Sequence, residues 1–158
     1  MGDTPPTPTA IVADIDVLAA DLFIDGPSRA AMDLIRSHSW MTLVATTDLL
    51  DQAAALIESL ATPALATDWR KRCVEIATIV EPAGSGQEAL VAAHAGNAAT
   101  VLSLDPAAQS ARAGTAIRKA VETSIKSPDA FVTMTDPQSL YQTCFDAPYP
   151  GPDRDPRE

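Results

Sequence analysis

Ile11-Val12-Ala13-Asp14-Ile15-Asp16-Val17-Leu18 is the stretch on which the reading of this chain turns. Ile11 to Ala13 is an apolar run without polar alternation, the pattern of a strand buried on both faces of a parallel sheet. Asp14 stands where that strand leaves the sheet, Asp16 follows two residues on, and apolar sequence then resumes. In open α/β sheets the carboxyl ends of the strands face a crevice ringed by loops and helix N-termini, and ligands bind there. The rest of the chain reads as a scaffold that brings further carboxylates to the same edge.

Outward from this stretch, apolar runs predict strands at Trp40–Ala45, Thr78–Val80 and Thr100–Leu104, with a weak one at Thr123–Ile125. Between them, helical spacing predicts helices over Val17–Ile24 and Ser28–His38, split by Gly26-Pro27, and over Thr47–Leu60. Further helices are expected from Pro63 to about Ala77, over Gln87–Ala95 with Gly96 or Asn97 as C-cap, and over Ala107–Ala113, Ala130–Met134 and Gln138–Phe145. Strands alternating with helices mean an α/β protein, a three-layer α/β/α sandwich around a central parallel sheet. Residues 11–145 form the expected domain. Met1–Ala10 carries three prolines and reads as a disordered leader, and Asp146–Glu158, with four prolines and many charges, reads as a flexible tail.

At 158 residues the chain is long enough for one domain with a real core. Nothing in it is long and apolar enough to span a bilayer, and the N-terminus lacks a signal peptide's basic start and apolar middle, so a cytoplasmic protein is expected. Cys73 and Cys144 lack metal-type spacing and read as free thiols. The net charge is −10, and lysine occurs only at Lys71, Lys119 and Lys126. An acidic, lysine-poor surface stays soluble in concentrated salt, where self-repulsion is screened, so a salt-loving, halophilic source is expected. The same charge argues weakly against nucleic acid binding.

Five acids stand out: Asp14, Asp16, Asp51, Glu88 and Asp105. Each also has a purely structural reading. Asp105 before Pro106 fits an N-cap followed by a first-turn proline, Ser85-Gly86-Gln87-Glu88 fits a capping box, Asp51 lies where the helix dipole favours an acid, and Asp14 or Asp16 can cap the first helix. Together they say more, because strand ends and first helical turns all face one edge of a parallel sheet. Carboxylates gathered there would raise one another's pKa, and a hard divalent cation relieves that repulsion. Such a site can activate water and stabilise charge developing on a phosphodiester.

The order of elements and acids resembles the PIN domain, a family of metal-dependent nucleases with a central parallel sheet. Its opening motif is matched by Val12-Ala13-Asp14-Ile15-Asp16-Val17-Leu18, its second acid by Asp51 in Thr46-Thr47-Asp48-Leu49-Leu50-Asp51, and its third by Glu88 in Glu88-Ala89-Leu90-Val91-Ala92-Ala93-His94-Ala95. Ser103-Leu104-Asp105 is similar to the closing Thr/Ser-x-Asp, and Ser127-Pro128-Asp129-Ala130-Phe131 to the last strand-to-helix turn. The resemblance covers Ile11 to Phe131. It implies a Mg²⁺- or Mn²⁺-dependent ribonuclease in which Asp14, Asp51 and Asp105 hold the metal, Glu88 is a further ligand or positions water, and Asp16 and Ser103 support them. It also implies a toxin-like role with an antitoxin-like partner, and a homodimer. The competing expectation is a PIN-like module that binds RNA or protein without turnover.

Other signals are plainer. His38 and His94 lack ligand spacing and read as ordinary histidines. Gly84-Ser85-Gly86 has neither a P-loop lysine nor Rossmann spacing, so it reads as a loop. Asp68-Trp69-Arg70-Lys71-Arg72 is the densest basic run; it could touch a phosphate backbone, though a solvated helix face is the commoner meaning of such a run.

Overall fold

The computed structural model describes residues 7–82, 88–104 and 124–154. Five strands form one all-parallel sheet in the order β3-β2-β1-β4-β5, where β1 is Thr7–Ala13, β2 Thr42–Ala45, β3 Ala77–Ile79, β4 Ala98–Leu102 and β5 Ser124–Lys126. Strand β1 is central and its apolar run is sealed, with Ile11 and Val12 both fully buried. Burial of a side chain of that size contributes roughly 1.5–3 kcal/mol. Helices cover the sheet, so the protein is an α/β/α sandwich.

Helices α1 (Ile15–Phe23), α2 (Pro27–Arg36), α3 (Thr47–Leu60) and α4 (Pro63–Ile76) lie between β1 and β3; α1 packs on both α2 and α3, and α3 packs on α4. Helix α5 (Glu88–Gly96) carries the chain from β3 back across to β4 and packs on β1, β2 and β4. After β5 come α6 (Pro128–Met134), which packs on α2, and α7 (Pro137–Phe145). The helix starts follow local chemistry. Thr46 caps α3 through the amide of Leu49 (3.1 Å), and Thr62 caps α4 through that of Leu65 (3.1 Å). Ser127 does the same for α6 through Ala130 (3.1 Å), and prolines stand in the first turns of α2, α4, α6 and α7. Helix α5 ends at Gly96, and Asn97 beyond it takes the left-handed conformation (φ 54°) that short polar residues tolerate. A Cβ on Gly96 would lie 2.4 Å from Val44 Cγ1, so only glycine lets α5 end this close to β2.

Two terminal expectations change. Thr7–Ala10, expected in a disordered leader, belongs to β1: the Thr7 amide donates to Asn97 (2.8 Å), and the register to β4 shifts between Thr7 and Ile11. Pro8 lies in that interval and has no amide to give the ladder. The described part of the expected flexible tail, Asp146–Arg154, is held on the turn before β2. Tyr149 Oη lies 2.6 Å from Nε2 of the buried His38, the amides of Asp153 and Arg154 donate to the Ser37 carbonyl, and Arg154 Nη2 donates to the His38 carbonyl. The Asp153 carboxylate accepts from both the amide and the hydroxyl of Ser39. Edge-to-face ring contacts join Trp40 to Tyr141 and Phe145 beside this clasp. The expected helix Ala107–Ala113 lies outside the described residues. No helix among the described residues is long and apolar enough to cross a membrane.

Candidate functional site

The strand order turns at β1. From β1 the chain builds outward through β2 to β3, then returns across the sheet to lay β4 and β5 on the other side. Such a reversal opens a crevice at the carboxyl ends of the two neighbouring strands whose connections diverge there, here β1 and β4. Ala13 and Leu102 are in register, so both strands end at the same level.

Asp14 leaves β1 and caps α1. Its amide donates to the Leu102 carbonyl (2.9 Å), which ties it to the end of β4, and its Oδ1 accepts from the Ile15 amide (2.8 Å). Asp16 Oδ1 accepts from the Val17 amide (2.7 Å), while its Oδ2 reaches across the crevice to the Leu104 amide (3.3 Å). Both carboxylates are half-buried. Ser103, just past the end of β4, is buried, and its amide donates to the Lys126 carbonyl of β5 (3.0 Å). Two acids from the start of α1 and a serine from the end of β4 are thus laced to one crevice. Asp105 is the next residue but one after Ser103 and lies outside the described residues, as does the Ser85 of the expected capping box.

The other two acids stand apart in their bonding. Asp51 is exposed, and its Oδ1 accepts from Arg70 Nε of α4 (2.7 Å), so it has a cationic partner where the sequence reading placed only like charges. Glu88 opens α5 and is half-buried. Because α5 crosses between parallel strands, its first residue belongs to the carboxyl side of the sheet. Among the described residues no three His, Cys, Asp or Glu side chains come together as a metal-holding group. Asp14 and Asp16 still fit a hard cation of the Mg²⁺ type, which takes one or two carboxylates and keeps several waters.

A family profile described as a family of unknown function, DUF7384, matches residues 5–157. The chain belongs to the DUF7384 family. Searches of curated proteins and of solved structures each found no match.

The DUF7384 chain has one further polar centre that its sequence did not announce. A cavity of about 720 Å³ opens between α1, α2 and α4, lined among others by Leu18, Asp21, Arg29, Arg36, Trp69 and Cys73. Asp21, almost wholly buried, takes Arg36 in a two-pronged pair (2.8 Å each), and Arg36 also bonds Asp33 (2.6 Å). Burial works against the Arg36 charge, but its bonds to Asp21 and Asp33 outweigh that and hold the proton more firmly than usual. Arg29 donates to the Asp21 and Leu22 carbonyls near the end of α1 (3.0 and 2.9 Å). Burial, with Asp21 nearby, pushes the Cys73 thiol up to about 12, so it is a poor nucleophile. These bonds pair the charges from within the fold and make this centre a brace between helices, with Arg36 Nε alone of its guanidinium nitrogens buried without a hydrogen-bond partner among the described residues. Its only sequence signal is Asp21, an aspartate past the first turn of α1 among apolar neighbours, and the partner that explains it is 15 residues away.

Proposed function

We propose that this protein is a metal-dependent phosphodiesterase acting on RNA, with its working edge at the ends of β1 and β4. The observation that carries the reading is a placement: Asp14 and Asp16 are tied by hydrogen bonds to the end of β4 and its exit at the point where the strand order reverses. Asp14 and Asp16 would hold a Mg²⁺ or Mn²⁺ ion, with Asp105 completing the set and Glu88 adding a ligand or positioning water from the start of α5. Asp51 would join them only by leaving Arg70. When bound, a cation of this kind supplies Lewis acidity at a phosphoryl oxygen and lowers the pKa of a water. The protein's part is to hold Asp14 in place through the Leu102 bond, to keep the exit of β4 close through Asp16, and to set Ser103 behind the acids. A cytoplasmic setting, where RNA is at hand, suits this reading.

A binding module without turnover is the second reading. The Asp51–Arg70 pair favours it, because it removes one acid from the set and ties up an arginine on the same surface. Cleavage of labelled single-stranded RNA with Mn²⁺, wild type against Asp14→Asn, separates the two. Metal-dependent cutting that disappears in the variant supports the nuclease; no Mn²⁺ binding and no cutting at any salt leaves the binding module.

A further inference from the structure

A polyanionic strand lying at the carboxylate edge requires a cation to receive its phosphates. The described cationic side chains are Arg29, Arg36, Arg70, Lys71, Arg72, Lys126 and Arg154. Five are committed: Arg29 to carbonyls of α1, Arg36 to Asp21 and Asp33, Arg70 to Asp51, Arg72 to Asp68, and Arg154 to the His38 carbonyl. Lys71 and Lys126 alone have no hydrogen bond or ion pair from their side chains among the described residues. Lys71 lies on the exposed surface of α4. Lys126 is the last residue of β5, half-buried, and in register with Leu102, which is itself in register with Ala13. Ala13, Leu102 and Lys126 therefore stand side by side at the carboxyl end of the sheet, and two strand spacings of about 4.8 Å separate the first from the last. A lysine is a point charge on a flexible four-carbon stem, suited to meeting a phosphate near such an edge.

We infer that Lys126 is a substrate-positioning residue that takes a backbone phosphate of the RNA strand whose neighbouring phosphodiester lies at Asp14 and Asp16. The inference rests on the nuclease reading for its purpose but not for its test. A lysine on an edge strand has a second accepted use, blocking sheet-to-sheet association, and that use makes different predictions.

The experiment measures binding of fluorescein-labelled oligouridylate by anisotropy in EDTA, across a KCl series, for the full chain and for Lys126→Ala, Lys126→Arg and Lys71→Ala. Loss of one phosphate contact should lower the slope of log K against log salt by about 0.7 in Lys126→Ala. Lys126→Arg should restore it, and Lys71→Ala should match wild type. With Mn²⁺ present, Lys126→Ala should raise KM several-fold and leave kcat nearly unchanged. An unaltered slope in Lys126→Ala, an equal loss in Lys71→Ala, or aggregation as the sole effect of Lys126→Ala overturns the inference. The two proposals fail separately. Wild type that binds the strand through Lys126 yet cuts nothing defeats the nuclease alone, whereas cutting with a Lys126-independent slope defeats the lysine assignment alone.

Discussion

The Asp16 carboxylate accepts a hydrogen bond from the Leu104 amide at 3.3 Å, joining the first turn of α1 to the chain just past β4 across 88 residues of sequence. This contact closes the crevice from the side of α1, as the Asp14–Leu102 bond does from the side of β1. An aspartate at this place has two jobs, and they can be separated by substitution.

Asp14→Asn keeps an acceptor for the α1 cap, since Asn and Asp cap about equally well, but gives up the charge. Its stability without metal should lie within about 0.5 kcal/mol of wild type, while stabilisation by Mn²⁺ and RNA cleavage both disappear. Asp14→Ala should in addition cost about 1 kcal/mol through loss of the cap. Thermal melts with and without Mn²⁺ check the three stability statements, and the labelled-RNA assay checks the loss of cleavage.

Gly96→Ala places a methyl group 2.4 Å from Val44 Cγ1, against a β-branched side chain in the core that has little freedom to turn. Overpacking of this kind should cost about 1–3 kcal/mol in urea unfolding. Adding Val44→Ala should recover part of the loss, with coupling visible in a double-mutant cycle.

The Asp21–Arg36 pair, with side chains only 10% and 20% exposed, leaves a nearly buried guanidinium behind if its partner is removed. Asp21→Asn should therefore cost about 3 kcal/mol, and replacing both residues by apolar ones of similar volume should cost less than the single change. Urea midpoints for the two variants make the comparison.

The clasp of the C-terminal segment should depend on pH in a stated direction. Its hydrogen bonds to Ser39 hold Asp153 below its usual value of 3.8, so the stabilisation is present above pH 3.8 and fades as pH falls through the lowered value. Burial, then Asp136 and Asp153, raise Tyr149 above 10.0, so its contribution is present below pH 10 and fades above it. Fluorescence of Trp40, isolated by Trp69→Phe, should report release at both ends, and Asp153→Asn should remove the acid transition while sparing the alkaline one.

A net charge of −10 on 158 residues predicts that the melting temperature rises steeply with KCl as carboxylate repulsion is screened. A flat response between dilute buffer and molar salt would contradict the halophilic reading of the composition.

What could be read from the sequence was local. The apolar run Ile11–Ala13, the Thr62-Pro63 and Ser127-Pro128 helix starts, and the small residues closing α5 each carry their reason within a few positions, and the all-parallel sandwich follows from their alternation. Features that rest on a distant partner were out of reach. Thr7–Ala10 is a strand only because β4 is there to pair with it, and the three prolines of Met1–Ala10 argued the other way. The tail segment docks because Ser37, His38 and Ser39 offer bonds more than 110 residues upstream. Asp51 reads as an uncompensated acid until α4 folds back and places Arg70 beside it, 19 residues on. For the same reason the place of Asp14 and Asp16 at the end of β1 was legible in the sequence, whereas the place of Lys126 needed the register of β5.

The central position of β1 also has a consequence for the order of assembly during synthesis. Its pairing with β2 spans about thirty residues and can form early, but its other edge waits for β4, about ninety residues later. Until then the nascent chain holds a half-sheet whose most apolar strand has one open side, a template for stray strand pairing. The β3–α5–β4 crossover therefore acts as a folding deadline, and slowing translation between β3 and β4 should favour aggregation over any loss in the final fold's stability.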